Sequence, residues 1–148
     1  MDRRDDGGYS LVELMVVVAV IAVLVAISIP MFFGFRDGAH DRAVHAELRN
    51  TLLAEKTHWT ENDVFTEAAA DIRALQPGAA IAADPADGVV IDLNDGSAQI
   101  VCLVRTSEGG EVFSIWLHAT AGAYFGTGDL SGADCPAAAP AGFTREGF

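Results

Sequence analysis

The chain has 148 residues, 21 acidic side chains against 9 basic ones, a formal net charge of −12 and two cysteines. That balance excludes direct electrostatic binding of nucleic acid or anionic lipid by the chain as a whole, because neutralising phosphates takes clusters of Lys and Arg. The length leaves room for one membrane segment and one modest globular domain.

Residues 1–8 are a short charged start that ends in Gly7-Gly8. Tyr9 to Glu13 follow, and from Leu14 to Phe33 only Ser28 and Pro30 are not plainly apolar. As a helix rising about 1.5 Å per residue, this run spans roughly the 30 Å hydrocarbon core of a bilayer. Glu13 stands at its upstream edge, where burying a carboxylate in lipid costs on the order of 2.5–3.5 kcal/mol. A secretory signal peptide, with Ala26-Ile27-Ser28 as its cleavage site, or an ordinary single-pass anchor would account for the apolar run. Neither accounts for a glutamate between the charged start and the apolar core. Charge does not orient the segment, since Arg3 and Arg4 lie on one side and Arg36, Arg42 and Arg49 on the other.

Gly8, a bulky Tyr9, Glu13 and a long apolar helix containing Pro30 together resemble a type IV prepilin, closely over roughly the first 30 residues and loosely beyond. The resemblance implies an α+β fold, with a long N-terminal helix packed against a small antiparallel sheet of three to four strands. It implies leader cleavage between Gly8 and Tyr9, N-methylation of Tyr9, and a Glu13 carboxylate that meets a neighbouring subunit's N-terminal amine. The implied partners are identical or homologous pilin subunits, a prepilin peptidase, an inner-membrane assembly platform and, before assembly, membrane lipid. The implied location is the inner membrane as a single-pass precursor, then an extracellular pilus or periplasmic pseudopilus. Losing residues 1–8 leaves 18 acids against 7 bases. The expected divisions are leader 1–8, apolar assembly helix 9–33, amphipathic continuation 34–60 and globular head 61–148.

Downstream, Pro30, Gly34 and Gly38 sit where a long helix would bend. Proline removes the hydrogen bond to the Ala26 carbonyl and clashes with it, so a kink between Ala26 and Pro30 is expected. Val44, Leu48 and Leu52 recur every fourth residue among charged neighbours, which predicts an amphipathic helix ending near Thr60, before Asn62-Asp63. His40 and His45 are five apart and diverge around such a helix, so they and His58 read as solvated side chains rather than metal ligands. Residues 64–88, with Pro77-Gly78 and Asp84-Pro85, read as a connection holding one short helix from Glu67 to Leu75.

Strands are predicted over Val89–Leu93, Gln99–Arg105 and Val112–Ala119, with a short fourth through Tyr124 and Phe125; Asn94-Asp95-Gly96 marks the first hairpin. Phe113, Ile115, Leu117 and Ala119 line the face expected to cover the helix stripe, leaving the other face wet. Asp92, Asn94, Asp95, Asp129 and Asp134 have the chemistry of calcium ligands, but the glycine at 96 comes too early for an EF-hand, and they read as turn formers. Ser114 and His118 share a strand face without a third catalytic partner. No catalytic set, metal site or cofactor is expected. If the head faces an oxidising exterior, Cys102 and Cys135 are expected to form a disulfide that pins the glycine-rich tail to the sheet. The alternative is a buried free thiol at Cys102 and an incidental one at Cys135.

The function expected is a structural subunit that polymerises through its N-terminal helix. Alternatives are a pseudopilin of a type II secretion system, a minor pilin, or a membrane-anchored binding domain that never polymerises.

Overall fold

The computed structural model describes residues 9–94, 97–132 and 135–148. The expected leader with its Gly8 junction, the turn residues Asp95 and Gly96, and Asp134 lie outside these. Helix α1 runs from Leu11 to Asn62 and remains helical through Pro30, Gly34 and Gly38. It stops where Asp63 takes a left-handed conformation (φ 59°), with the Asp63 N–H bonded to the Trp59 carbonyl at 2.8 Å. The Asn62 amide donates to the His58 carbonyl at 3.0 Å, so the last turn's exposed acceptors find partners. The chain divides after Arg36 into two compact units, 1–36 and 37–148.

In the second unit, α1 is followed by the short helix α2 (Ala69–Leu75) and by strands β1 (Val90–Asn94), β2 (Ser97–Thr106), β3 (Val112–His118) and β4 (Gly122–Thr127). Among the described residues these form one antiparallel meander in the order β1-β2-β3-β4, with Val90 opposite Val104, Cys102 opposite Trp116 and Ile115 opposite Phe125. The elements match the predicted ones to within a few residues, and β4 is longer than the Tyr124-Phe125 pair.

The alternation of each strand sorts its side chains onto two faces. Val101, Leu103, Phe113, Ile115 and Leu117 pack on Val44, Leu48 and Leu52 of α1 and on Phe65. The Arg105 guanidinium ties β2 to α1 and to the preceding loop, through Glu47 at 2.8 Å and the Pro85 carbonyl at 2.9 Å.

The expectation of a wet second face is wrong. Ile100, Cys102 and Trp116 are buried there beneath Cys135, Leu130, Ala139 and Phe143. The tail thus straps the outer face, and three features hold it. Cys102 and Cys135 are disulfide-bonded, with Cα atoms 5.5 Å apart. The Trp116 indole donates to the Pro136 carbonyl at 2.7 Å. Gly126 leaves room for the Phe143 ring, because a Cβ there would come within 2.5 Å of it. The tail then crosses to the inner face, where Phe148 packs against Phe113, Phe125 and His45.

Both sheet edges are partly closed. On β1 the Leu93 N–H donates to Glu67 at 2.7 Å, and the Val89 N–H just before the strand donates to the Ala80 carbonyl at 2.6 Å. On β4, Phe125 exchanges both backbone hydrogen bonds with Thr144, at 2.7 and 2.9 Å.

Candidate functional site

The candidate site is the first unit's apolar helix. Val25 is the least exposed of its described large apolar residues and still shows 47% of its surface; Tyr9 shows 86%. Leaving apolar surface in water forgoes roughly 25 cal/mol per Å², so a contiguous bare surface of this kind marks a face that lipid or protein must cover. The helix is long and apolar enough to cross a membrane.

At its start, Glu13 has a local role that sequence reasoning missed. The Ser10 N–H donates to Glu13 Oε2 at 3.1 Å, and the Glu13 N–H donates to Ser10 Oγ at 3.2 Å. This reciprocal pair is a capping box, which satisfies two otherwise orphaned N–H groups of the first turn. The signal was legible, since Ser-x-x-Glu directly before an apolar run is its sequence form. Glu13 also places a negative charge at the positive end of the helix dipole. Further along, the Ser28 hydroxyl donates to the Leu24 carbonyl at 2.8 Å, in the turn before Pro30.

The remaining sequence candidates lie in the second unit. The Ser114 hydroxyl donates to the Gly128 carbonyl, and His118 Nδ1 accepts the Thr120 N–H at 3.1 Å, so each serves a nearby backbone group. Asp129 Oδ1 accepts the Ser131 N–H at 2.7 Å, the turn-forming use expected of it.

The histidines are not simply solvated, contrary to the sequence reading. His40 Nε2 lies 3.2 Å from Glu108, and His58 Nδ1 lies 2.9 Å from the Val64 carbonyl oxygen. His45 is stacked on Phe148 and met edge-on by Phe113, each with centroids 4.5 Å away, and its Nε2 is buried without a partner among the described residues. Burial lowers its pKa below the usual imidazole value, and Arg49 adds to this; Asp41 and Glu111 oppose it.

Ten residues on, Glu55 is fully buried on α1. Its Oε2 accepts the Thr66 N–H at 3.2 Å, and its Oε1 has no partner among the described residues. Desolvation pushes its pKa up to about 7, against the Thr66 hydrogen bond and with help from Asp71. Neither residue carried a sequence signal, because their neighbours come from distant parts of the chain.

Residues 3–29 match the family described as the prokaryotic N-terminal methylation motif. Over 117 residues the chain is 29% identical to the type IV wide pilus major component PilA4 of Thermus thermophilus, covering 79% of this chain and 83% of that protein. Over 65 residues it is 35% identical to the type IV major pilin protein PilA of Myxococcus xanthus, covering 44% of this chain and 30% of that protein.

Proposed function

We propose that this chain is a type IV pilin, a structural subunit of a type IV pilus assembled through its N-terminal apolar helix, a reading supported by the N-terminal methylation motif and the likeness to two pilins. The observation that carries the proposal is a long apolar helix, uncovered at every described large apolar residue of its first half and opened by a single carboxylate. Before assembly the bilayer covers that surface; in the filament, the same helices of neighbouring copies do. That both relatives are named as major pilus components favours a main subunit over a minor one.

In this reading a prepilin peptidase removes residues 1–8 and frees an amine at Tyr9, which is then N-methylated. The assembly platform lifts the subunit out of the membrane. One Glu13 oxygen remains available beyond the capping bond, and it meets the cationic amine of a neighbour's Tyr9. Within an apolar bundle each charge needs the other, because either alone bears the full desolvation penalty. Substitutions separate this pairing from capping. Ser10→Ala removes the cap and leaves the charge, so filaments form, with helix stability reduced by about 1 kcal/mol. Glu13→Gln keeps a capping oxygen and loses the charge, so the subunit inserts in the membrane and filament number falls sharply. Wild-type filament counts for Glu13→Gln by electron microscopy refute the pairing. An intact filament mass that retains Met1 to Gly8 refutes the cleavage.

A further inference from the structure

At the C-terminal end of α1, Lys56 and Trp59 stand one turn apart beside a cleft of about 320 Å³, whose floor includes Phe65, Leu117 and Ala119. Its size is at the lower end of small-molecule sites, which run from about 300 to 1,000 Å³ and pair apolar walls with a few polar groups.

Two residues lining this cleft carry donors that have no acceptor among the described residues. Lys56 is the only lysine of the sequence. Although acids outnumber bases 21 to 9, the Lys56 ammonium makes no hydrogen bond or ion pair among the described residues, and its side chain is exposed. The Trp59 indole N–H is buried with no acceptor among those residues, whereas the other indole, Trp116, is bonded to the Pro136 carbonyl. An unmet buried N–H is unfavourable, so an acceptor brought into the cleft has a group waiting for it.

We propose that the cleft between Lys56, Trp59 and Phe65 binds a small organic acid, a carboxylate carried on a short apolar or aromatic body. The body lies on Phe65, Leu117 and Ala119. The carboxylate lies between the Lys56 ammonium and the indole N–H, which swings toward the cleft to meet it. Charge selects the ligand class: a cation is repelled by Lys56, and a neutral amide forgoes the charge-assisted hydrogen bond. The proposal holds whether or not the chain polymerises.

The test uses the full chain, 15N-labelled at tryptophan in detergent micelles, titrated with phenylacetate. The chain has two tryptophans, so two indole N–H signals are read, and Trp59→Phe assigns them. The Trp59 signal is expected to move downfield saturably, with half-saturation at about 1 mM or below, while Trp116 stays as an internal reference. Lys56→Gln, a surface change that leaves the core intact, weakens binding by about tenfold, and phenylacetamide gives no saturable shift. The site is refuted by a Trp59 signal that never saturates, by equal responses to acid and amide, by undiminished binding in Lys56→Gln, or by both indoles moving together.

Discussion

Glu13 and Glu55 show one side-chain type put to opposite uses on a single helix. Glu13 sits at an exposed helix start, where its carboxylate accepts the Ser10 N–H and closes the capping box. Glu55 sits in the core, where a charge has no counterpart and the proton is retained up to about pH 7. Its folded pKa lies above the unfolded value of 4.5, so its contribution is fully present below pH 4.5 and is lost as pH rises through 7. By linkage that loss amounts to about 3 kcal/mol. His45 works in the opposite direction. Its folded pKa lies below 6.5, so its contribution is present above pH 6.5 and is lost as pH falls toward the folded value. The two slopes oppose one another just below pH 6.5, where the histidine offsets part of the stability the glutamate loses. Glu55→Gln unmasks the histidine, and stability then rises as pH climbs toward 6.5. His45→Phe unmasks the glutamate, and stability then falls from pH 4.5 to 7.5. Urea denaturation of each variant at several pH values measures both slopes.

Among the elements, the tail strap depends most on a covalent tie. Residues 128–148 contain few large apolar side chains for their length, and the Cys102–Cys135 bridge closes a separation of 33 residues. Chain-entropy reasoning puts its contribution at about 3–4 kcal/mol. Cys135→Ser is expected to lower Tm and to open the tail to limited proteolysis, with Trp116 emission shifting red as water reaches the outer face. Gly126→Ala leaves the bridge intact but drives a Cβ into the Phe143 ring. A cost of about 1–3 kcal/mol follows, and Phe143→Leu in the same chain should recover part of it. The strap also marks where sequence reasoning stopped. The strands were legible because Val89, Ile91 and Leu93, and likewise Phe113, Ile115 and Leu117, alternate. The disulfide that pins the tail was legible too, but the burial of the outer face beneath that tail was not, because Ala, Pro and Gly have no periodicity and the Phe143 contact depends on one glycine. His45 was read as solvated for a similar reason: helical spacing places it on a face but cannot reveal Phe113 and Phe148. At the proposed assembly segment, composition alone sufficed for a helix long and apolar enough to cross a membrane. The capping box is equally visible there, as Ser10-x-x-Glu13 directly before an apolar run.

Across the whole molecule, the two units obey different solubility rules. Among the described residues the first has apolar surface and no core of its own, while the second encloses buried clusters on both sides of its sheet. Residues 37–148 expressed alone are therefore expected to be a soluble monomer with the disulfide formed, as checked by analytical ultracentrifugation and non-reducing mass spectrometry. Aggregation of that piece would mean that its folding needs the apolar segment. The partly closed edges of the sheet bear on how copies join. A free strand edge is a second reactive end, able to capture another chain's edge and branch or gel the product. Here Glu67 and the Ala80 carbonyl interrupt one margin and Thr144 the other. Edge-to-edge capture is thereby disfavoured, and in the proposed filament the subunit has the valence of a linear polymer rather than that of a network.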